Sequence, residues 1–61
     1  MINVFRHRKR GTVYNVFGEG TLQCSGAPLQ DGSPVTIYQD ADGKLWVRGT
    51  AEFHDGRFVR V

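Results

Sequence analysis

The chain is predicted to be all-β, a small SH3-like barrel of five antiparallel strands with one short helical turn before the last strand. Three observations predict this. No window shows apolar side chains at helical spacing over three turns. Val, Ile, Thr, Tyr, Phe and Trp instead gather in short runs separated by Gly, Pro, Asp and Ser, the punctuation of strands and turns. The 61 residues make one small domain, and a barrel removes most of the edge that an open sheet of that size leaves exposed. The competing architecture is a twisted open antiparallel sheet that dimerises through its uncovered face.

Each element follows from its own residues. A first strand is expected over 3–7, then a turn at Lys9-Arg10-Gly11. The second strand, 12–23, places Val13, Asn15 and Phe17 on one face and Tyr14, Val16 and Gly18 on the other. Gly18 and Gly20 flank Glu19 in mid-run, where glycine marks a bulge or sharp bend. Residues 25–33 include two glycines, a proline and an aspartate, so they read as the longest loop and a place for contact. The third strand is 34–39, with Val35 and Ile37 facing one way and Thr36 and Tyr38 the other. Asp40-Ala41-Asp42-Gly43 is a hairpin turn on the strength of its Asp-Gly pair. The fourth strand, 45–48, is expected to turn Leu45 and Val47 inward and Trp46 and Arg48 to the opposite face. Residues 49–53 suit one helical turn capped by Thr50, with Glu52 near its positive end. Asp55-Gly56 then turns into a last strand over 57–61.

Composition narrows the function. Cys24 is the only cysteine, which excludes an internal disulfide and a cysteine-rich zinc site and fits a reducing compartment. No apolar run reaches signal-peptide or membrane-span length, so a soluble, cytoplasmic protein is expected, with no membrane partner. Net charge is +2, unevenly spread. Arg6, Arg8, Lys9 and Arg10 crowd the first ten residues with no acid among them, leaving a slightly acidic remainder.

Four segments carry a family resemblance across the whole chain: Phe5-Arg6-His7, Val13-Tyr14-Asn15-Val16-Phe17-Gly18, Val35-Thr36-Ile37-Tyr38, and Gly43-Lys44-Leu45-Trp46-Val47-Arg48 followed by Phe53. They resemble a family of short bacterial and phage proteins known as domain of unknown function 1653. The Arg-His pair and the Leu-Trp-Val-Arg run are its specific parts. The family usually begins Tyr-Arg-His, and it commonly has Pro where this chain has Gly49. The resemblance implies a small β-rich domain with an Arg-His pair near its start and a Trp-Arg pair on a later strand. It implies no activity.

Catalytic and metal chemistry find little support. His7, Cys24 and His54 are the only residues from which a nucleophile–base pair can be assembled, and 61 residues leave little room for a cleft around them. His7, His54 and Asp55 lack close ligand spacing. Asp40 and Asp42 are explained by their turn. Gly18-Glu19-Gly20 lacks the following helix that a phosphate loop requires. The chain is therefore expected to be no enzyme and to carry no cofactor or metal.

What remains is Arg6, His7, Arg8, Lys9 and Arg10 together with Tyr14, Tyr38, Trp46 and Arg48. The first reading is a protein-binding module, in which the aromatics supply contact area, Arg6, His7 and Arg48 set orientation, and the 25–33 loop contributes. The alternative is a nucleic-acid-binding barrel, with the basic segment on phosphates and Tyr14 or Trp46 stacking on bases. That arrangement requires the first and fourth strands to bring Arg6 and Arg8 near Trp46 and Arg48. A third reading is an architectural subunit that self-associates through its sheet face.

Overall fold

A computed structural model describes residues 3–26 and 28–61. Short β-rich runs become β1 (Asn3–His7), β2 (Val13–Thr21), β3 (Pro34–Gln39) and β4 (Leu45–Gly49), followed by helix α1 (Thr50–Phe53) and β5 (Phe58–Arg60). All five strands join one antiparallel sheet in the order β4-β3-β2-β1-β5. The strands β2 and β5 are shorter than the 12–23 and 57–61 expected: β2 ends at Thr21, opposite the first residue of β3, and β5 begins at Phe58, opposite the last residue of β1. No helix among the described residues is long and apolar enough to cross a membrane.

The all-β class and the five antiparallel strands are as expected, but the sheet is open. No ladder joins β4 to β5, so it is not a closed hydrogen-bonded barrel. Side-chain contact bridges the two edge strands instead, with the Arg48 guanidinium of β4 5.8 Å from the Phe58 ring centre of β5, and α1 packs on the same core. Phe53 of α1, 1% exposed, meets Phe5 of β1 at 5.3 Å, Tyr38 of β3 at 5.2 Å and Phe58 of β5 at 4.3 Å between ring centroids. Tyr14, Tyr38, Phe53 and Phe58 form the buried centre, with Phe5 and Val16 packed against it. Offset and edge-to-face ring pairs of this kind contribute about 0.5–1.5 kcal/mol each beyond the area they bury.

Register decides which residues reach that core. Asp40 closes the β3–β4 hairpin by exchanging backbone hydrogen bonds with Gly43 and Lys44, and Gly43 takes φ +85°, which the Asp-Gly turn needs. The pairing that follows sets Trp46 opposite Tyr38 and Arg48 opposite Thr36. Trp46 and Arg48 therefore share the core face, while Leu45 and Val47 point outward and are 57% and 59% exposed. This corrects the expectation that Leu45 and Val47 turn inward. The reason lies in β3, where Thr36 and Tyr38 are buried because each hydroxyl has a partner. Thr36 Oγ1 lies 3.1 Å from Thr50 Oγ1, and Tyr38 Oη accepts a long bond of 3.4 Å from Arg48 Nε. Thr50 is thus occupied with Thr36 and does not cap α1; Gly49 stands at the cap position and makes no side-chain bond.

The glycine-flanked stretch of β2 does contain a bulge. Val16 pairs with Tyr38 and Gly18 with Ile37, leaving Phe17 as the extra residue and Gly18 at φ +156°. The shift carries Glu19 onto the core face, opposite Thr36, where it comes within 3.9 Å of His54.

A candidate binding cleft at the basic hairpin

At the β1–β2 end of the core face, His7, Arg10, Tyr14, Tyr38, Trp46, Arg48 and Phe58 line one cleft. Six of the nine residues singled out from the sequence therefore converge. The sheet brings them there by alternation. His7 and Tyr14 come from neighbouring strands, Tyr38 and Trp46 face each other across the hairpin, and Phe58 sits opposite His7. The cleft has a volume of about 130 Å³.

Its side chains are held by specific contacts. His7 stands edge-on to Phe58 at 5.0 Å, and its Nδ1 accepts the backbone N–H of Arg10 at 3.2 Å. With Nδ1 an acceptor, the neutral ring carries its proton on Nε2. The His7 pKa is lowered by partial withdrawal from water, and then by the positive charges of Arg10, Arg48, Arg57 and Lys9. Arg48 lies over Phe58 and donates to Glu52 at 3.1 Å; its hydrogen bond to Tyr38, followed by the nearby acids, raises its pKa further. Trp46, 38% exposed, donates its indole N–H to Asp40 at 3.0 Å, and the Lys44 ammonium sits 4.4 Å from its ring centre.

The other three candidates lie elsewhere. Arg6 pairs across to Val13 and Val59 and so projects from the opposite face of the sheet. Arg8 and Lys9 edge a second hollow with Arg57 and with His7, which it shares with the cleft. The juxtaposition of Arg6 with Trp46 and Arg48 does not occur, because β2 and β3 separate β1 from β4 and Arg6 faces away. No carboxylate pairs with Arg8, Lys9 or Arg10 among the described residues, whereas Arg48 and Arg57 both do.

The loop after β2 forms a separate groove of about 470 Å³, where Leu22, Pro28 and Leu29 face Val35 and Val47; of the cleft residues, it shares only Arg48. Cys24 sits in that loop, its backbone N–H donating to Asp31. It lies beyond the far end of β2 from His7, a strand length of roughly 30 Å for nine residues. Among the described residues no three His, Cys, Asp or Glu side chains gather as a metal site would require.

Sequence reasoning missed Phe58, Arg57 and Asp40. Phe58 and Arg57 follow an Asp-Gly turn at the end of the chain, and only the β1–β5 pairing brings them beside His7. Asp40 was legible as a turn former, and its second oxygen reaches Trp46 only because the hairpin folds back. Comparison with protein-family models, with curated proteins and with solved structures found no match.

Proposed function

We propose that this chain is a small, non-enzymatic, cytoplasmic binding module of bacterial or phage origin that engages a protein partner through its aromatic and arginine cleft. The observation that carries this reading is the convergence of His7, Arg10, Tyr14, Tyr38, Trp46 and Arg48 on one concavity. Tyr, Trp and Arg dominate protein contacts because they combine large, stiff contact area with directed hydrogen bonding. At about 130 Å³ the cleft is well below the roughly 300–1,000 Å³ of cofactor and small-molecule sites, and suits one anchoring side chain or chain end. The strand order, with one helical turn ahead of the last strand, supports an SH3-like reading of the fold. If the chain does belong with domain of unknown function 1653, the segments of the resemblance give His7, Trp46 and Arg48 to the cleft and leave Arg6, Leu45 and Val47 on the other face.

Nucleic acid is the weaker reading. Arg8, Lys9 and Arg10, without a carboxylate partner among the described residues, favour it, but Tyr14, Tyr38 and Phe58 are buried and offer no free ring face for a base. Selection of peptides from a random library on the immobilised protein tests the choice. Selected peptides are expected to lose about tenfold or more in affinity on Trp46→Ala or Arg48→Ala and to be indifferent to Leu45→Ser on the opposite face. Peptides that ignore both cleft variants would overturn the reading. Oligonucleotides that quench Trp46 with a steep salt dependence would replace it.

A further inference from the structure

We infer that the cleft is an anchor for a single carboxylate of a partner polypeptide, received by the Arg10 guanidinium, the Nε2–H of His7 and the Tyr14 hydroxyl, with Trp46 as its wall. The inference rests on the reading of the cleft as a protein-contact site and names the group that enters it.

Three observations point to a carboxylate. The first is donor supply. Arg48 is tied in place by its bonds to Tyr38 and Glu52, and Trp46 has given its one N–H to Asp40. Arg10 has no acidic partner among the described residues, and the Tyr14 hydroxyl makes no hydrogen bond there although no side-chain oxygen or nitrogen is sealed without one. The second is the tautomer. The Arg10 backbone N–H fixes Nδ1 of His7 as an acceptor, so its other nitrogen carries the proton and acts as a donor to an acceptor in the cleft. The backbone of Arg10 thus orients one donor while its side chain supplies another.

The third is charge and size. Arg48 is neutralised by Glu52, which leaves one uncompensated positive charge, Arg10, on the lining itself. One negative charge matches it, as a carboxylate provides and a phosphate group, at about −1.5 to −2, exceeds. A guanidinium also receives a carboxylate through two parallel N–H donors. The volume of about 130 Å³ corresponds to roughly four waters, room for one such group and a short stem. The carboxylate can belong to an Asp or Glu side chain or to a chain terminus, since both present the same two oxygens.

Nuclear magnetic resonance of the isotopically labelled full chain tests this. The probes are acetyl-Ala-Glu-Ala-amide, acetyl-Ala-Ala-Ala with a free C-terminus, acetyl-Ala-Gln-Ala-amide and inorganic phosphate, each at constant ionic strength to roughly 10 mM. At least one carboxylate peptide is expected to move the His7 imidazole, Arg10 guanidinium and Trp46 indole signals, while the Gln peptide leaves them in place. Which of the two responds identifies the source of the carboxylate. Arg10→Gln, an exposed change that keeps the backbone bond to His7, is expected to weaken the responding peptide about tenfold or more. A Gln peptide that binds as well as the Glu peptide would overturn the carboxylate anchor and leave the protein-contact reading standing. Phosphate binding tighter than either peptide would overturn it in favour of a different anion. Cleft signals that no probe moves would overturn it too, and library peptides that still depend on Trp46 would then show that the wider reading survives.

Discussion

Asp40 is the side chain with the most hydrogen bonds among the described residues. One oxygen accepts the backbone N–H groups of Asp42 and Lys44, and the other accepts the indole of Trp46. That indole bond is the largest cause that lowers the pKa of Asp40; partial burial opposes it, and the backbone N–H groups of Lys44 and Asp42 and the Lys44 charge add to the lowering. His7 is also lowered, and for a histidine this means that the folded state prefers the neutral ring. Both shifts make the unfolded chain the better proton binder, so both make stability decline as the pH is lowered, in separate windows. The His7 contribution is fully present above its ordinary value of 6.5 and declines as pH falls from there to its lowered folded value. The Asp40 contribution is present above 3.8 and is lost as pH falls through its own lowered value. Urea unfolding followed by Trp46 fluorescence across this range is expected to show both declines. His7→Phe should remove the upper one and Asp40→Asn the lower one. A stability profile flat from pH 7 to the acid limb would contradict the His7 environment described here.

The element that bends the sheet is β2. Its two glycines look equivalent in the sequence, yet the structure separates their roles. Gly18 lies at the bulge with φ +156°, and a Cβ built there meets no atom within 4 Å, so any cost of substitution is backbone strain alone. Gly20 has regular pairing with Val35, and its Cβ would make ordinary contacts at 3.6 Å to Ile37 and 3.9 Å to Val35. Gly18→Ala is therefore expected to destabilise by about 1–3 kcal/mol. Gly20→Ala should be neutral or stabilise by up to roughly 1 kcal/mol, because alanine loses less chain entropy on folding. Equal effects in thermal unfolding would place the bulge elsewhere. The turns at 40–43 and 55–56, the β-rich runs and the helical turn were all legible in the sequence, because each depends on residues a few positions apart. Glu19 shows the limit. The one-residue slip at Phe17 moves it to the core face, and alternation counted along the strand misplaces every residue beyond the slip.

For the whole molecule, stability rests on very few side chains. A domain of 61 residues buries only about 60% of its unfolded surface, and its core is one cluster of aromatic rings. Phe53→Ala removes the ring that joins β1, β3 and β5 and is expected to cost about 3–5 kcal/mol, a large part of the roughly 5–15 kcal/mol that domains typically possess. Leu45→Ser, on the outward face, should change stability by no more than about 0.5 kcal/mol. Chemical denaturation measures both. A Leu45→Ser variant as damaged as Phe53→Ala would mean that the outward face is covered in solution.

Composition and spacing were sufficient for the β class, the number of strands and the short helix, because these follow from local preference and turn chemistry. They also singled out nine binding candidates, six of which converge on the cleft. They could not say which face of the sheet lies inside. Alternation sorts Leu45 with Val47 and Trp46 with Arg48, and hydrophobicity alone favours the first pair as core. The folded chain chose the second, because Thr36 finds Thr50 fourteen residues away, Tyr38 finds Arg48, and the ring of Phe53 completes the same face. Those partners belong to other elements, so the choice of face, the assembly of the cleft and the exclusion of Arg6 from it arise only when the strands are paired.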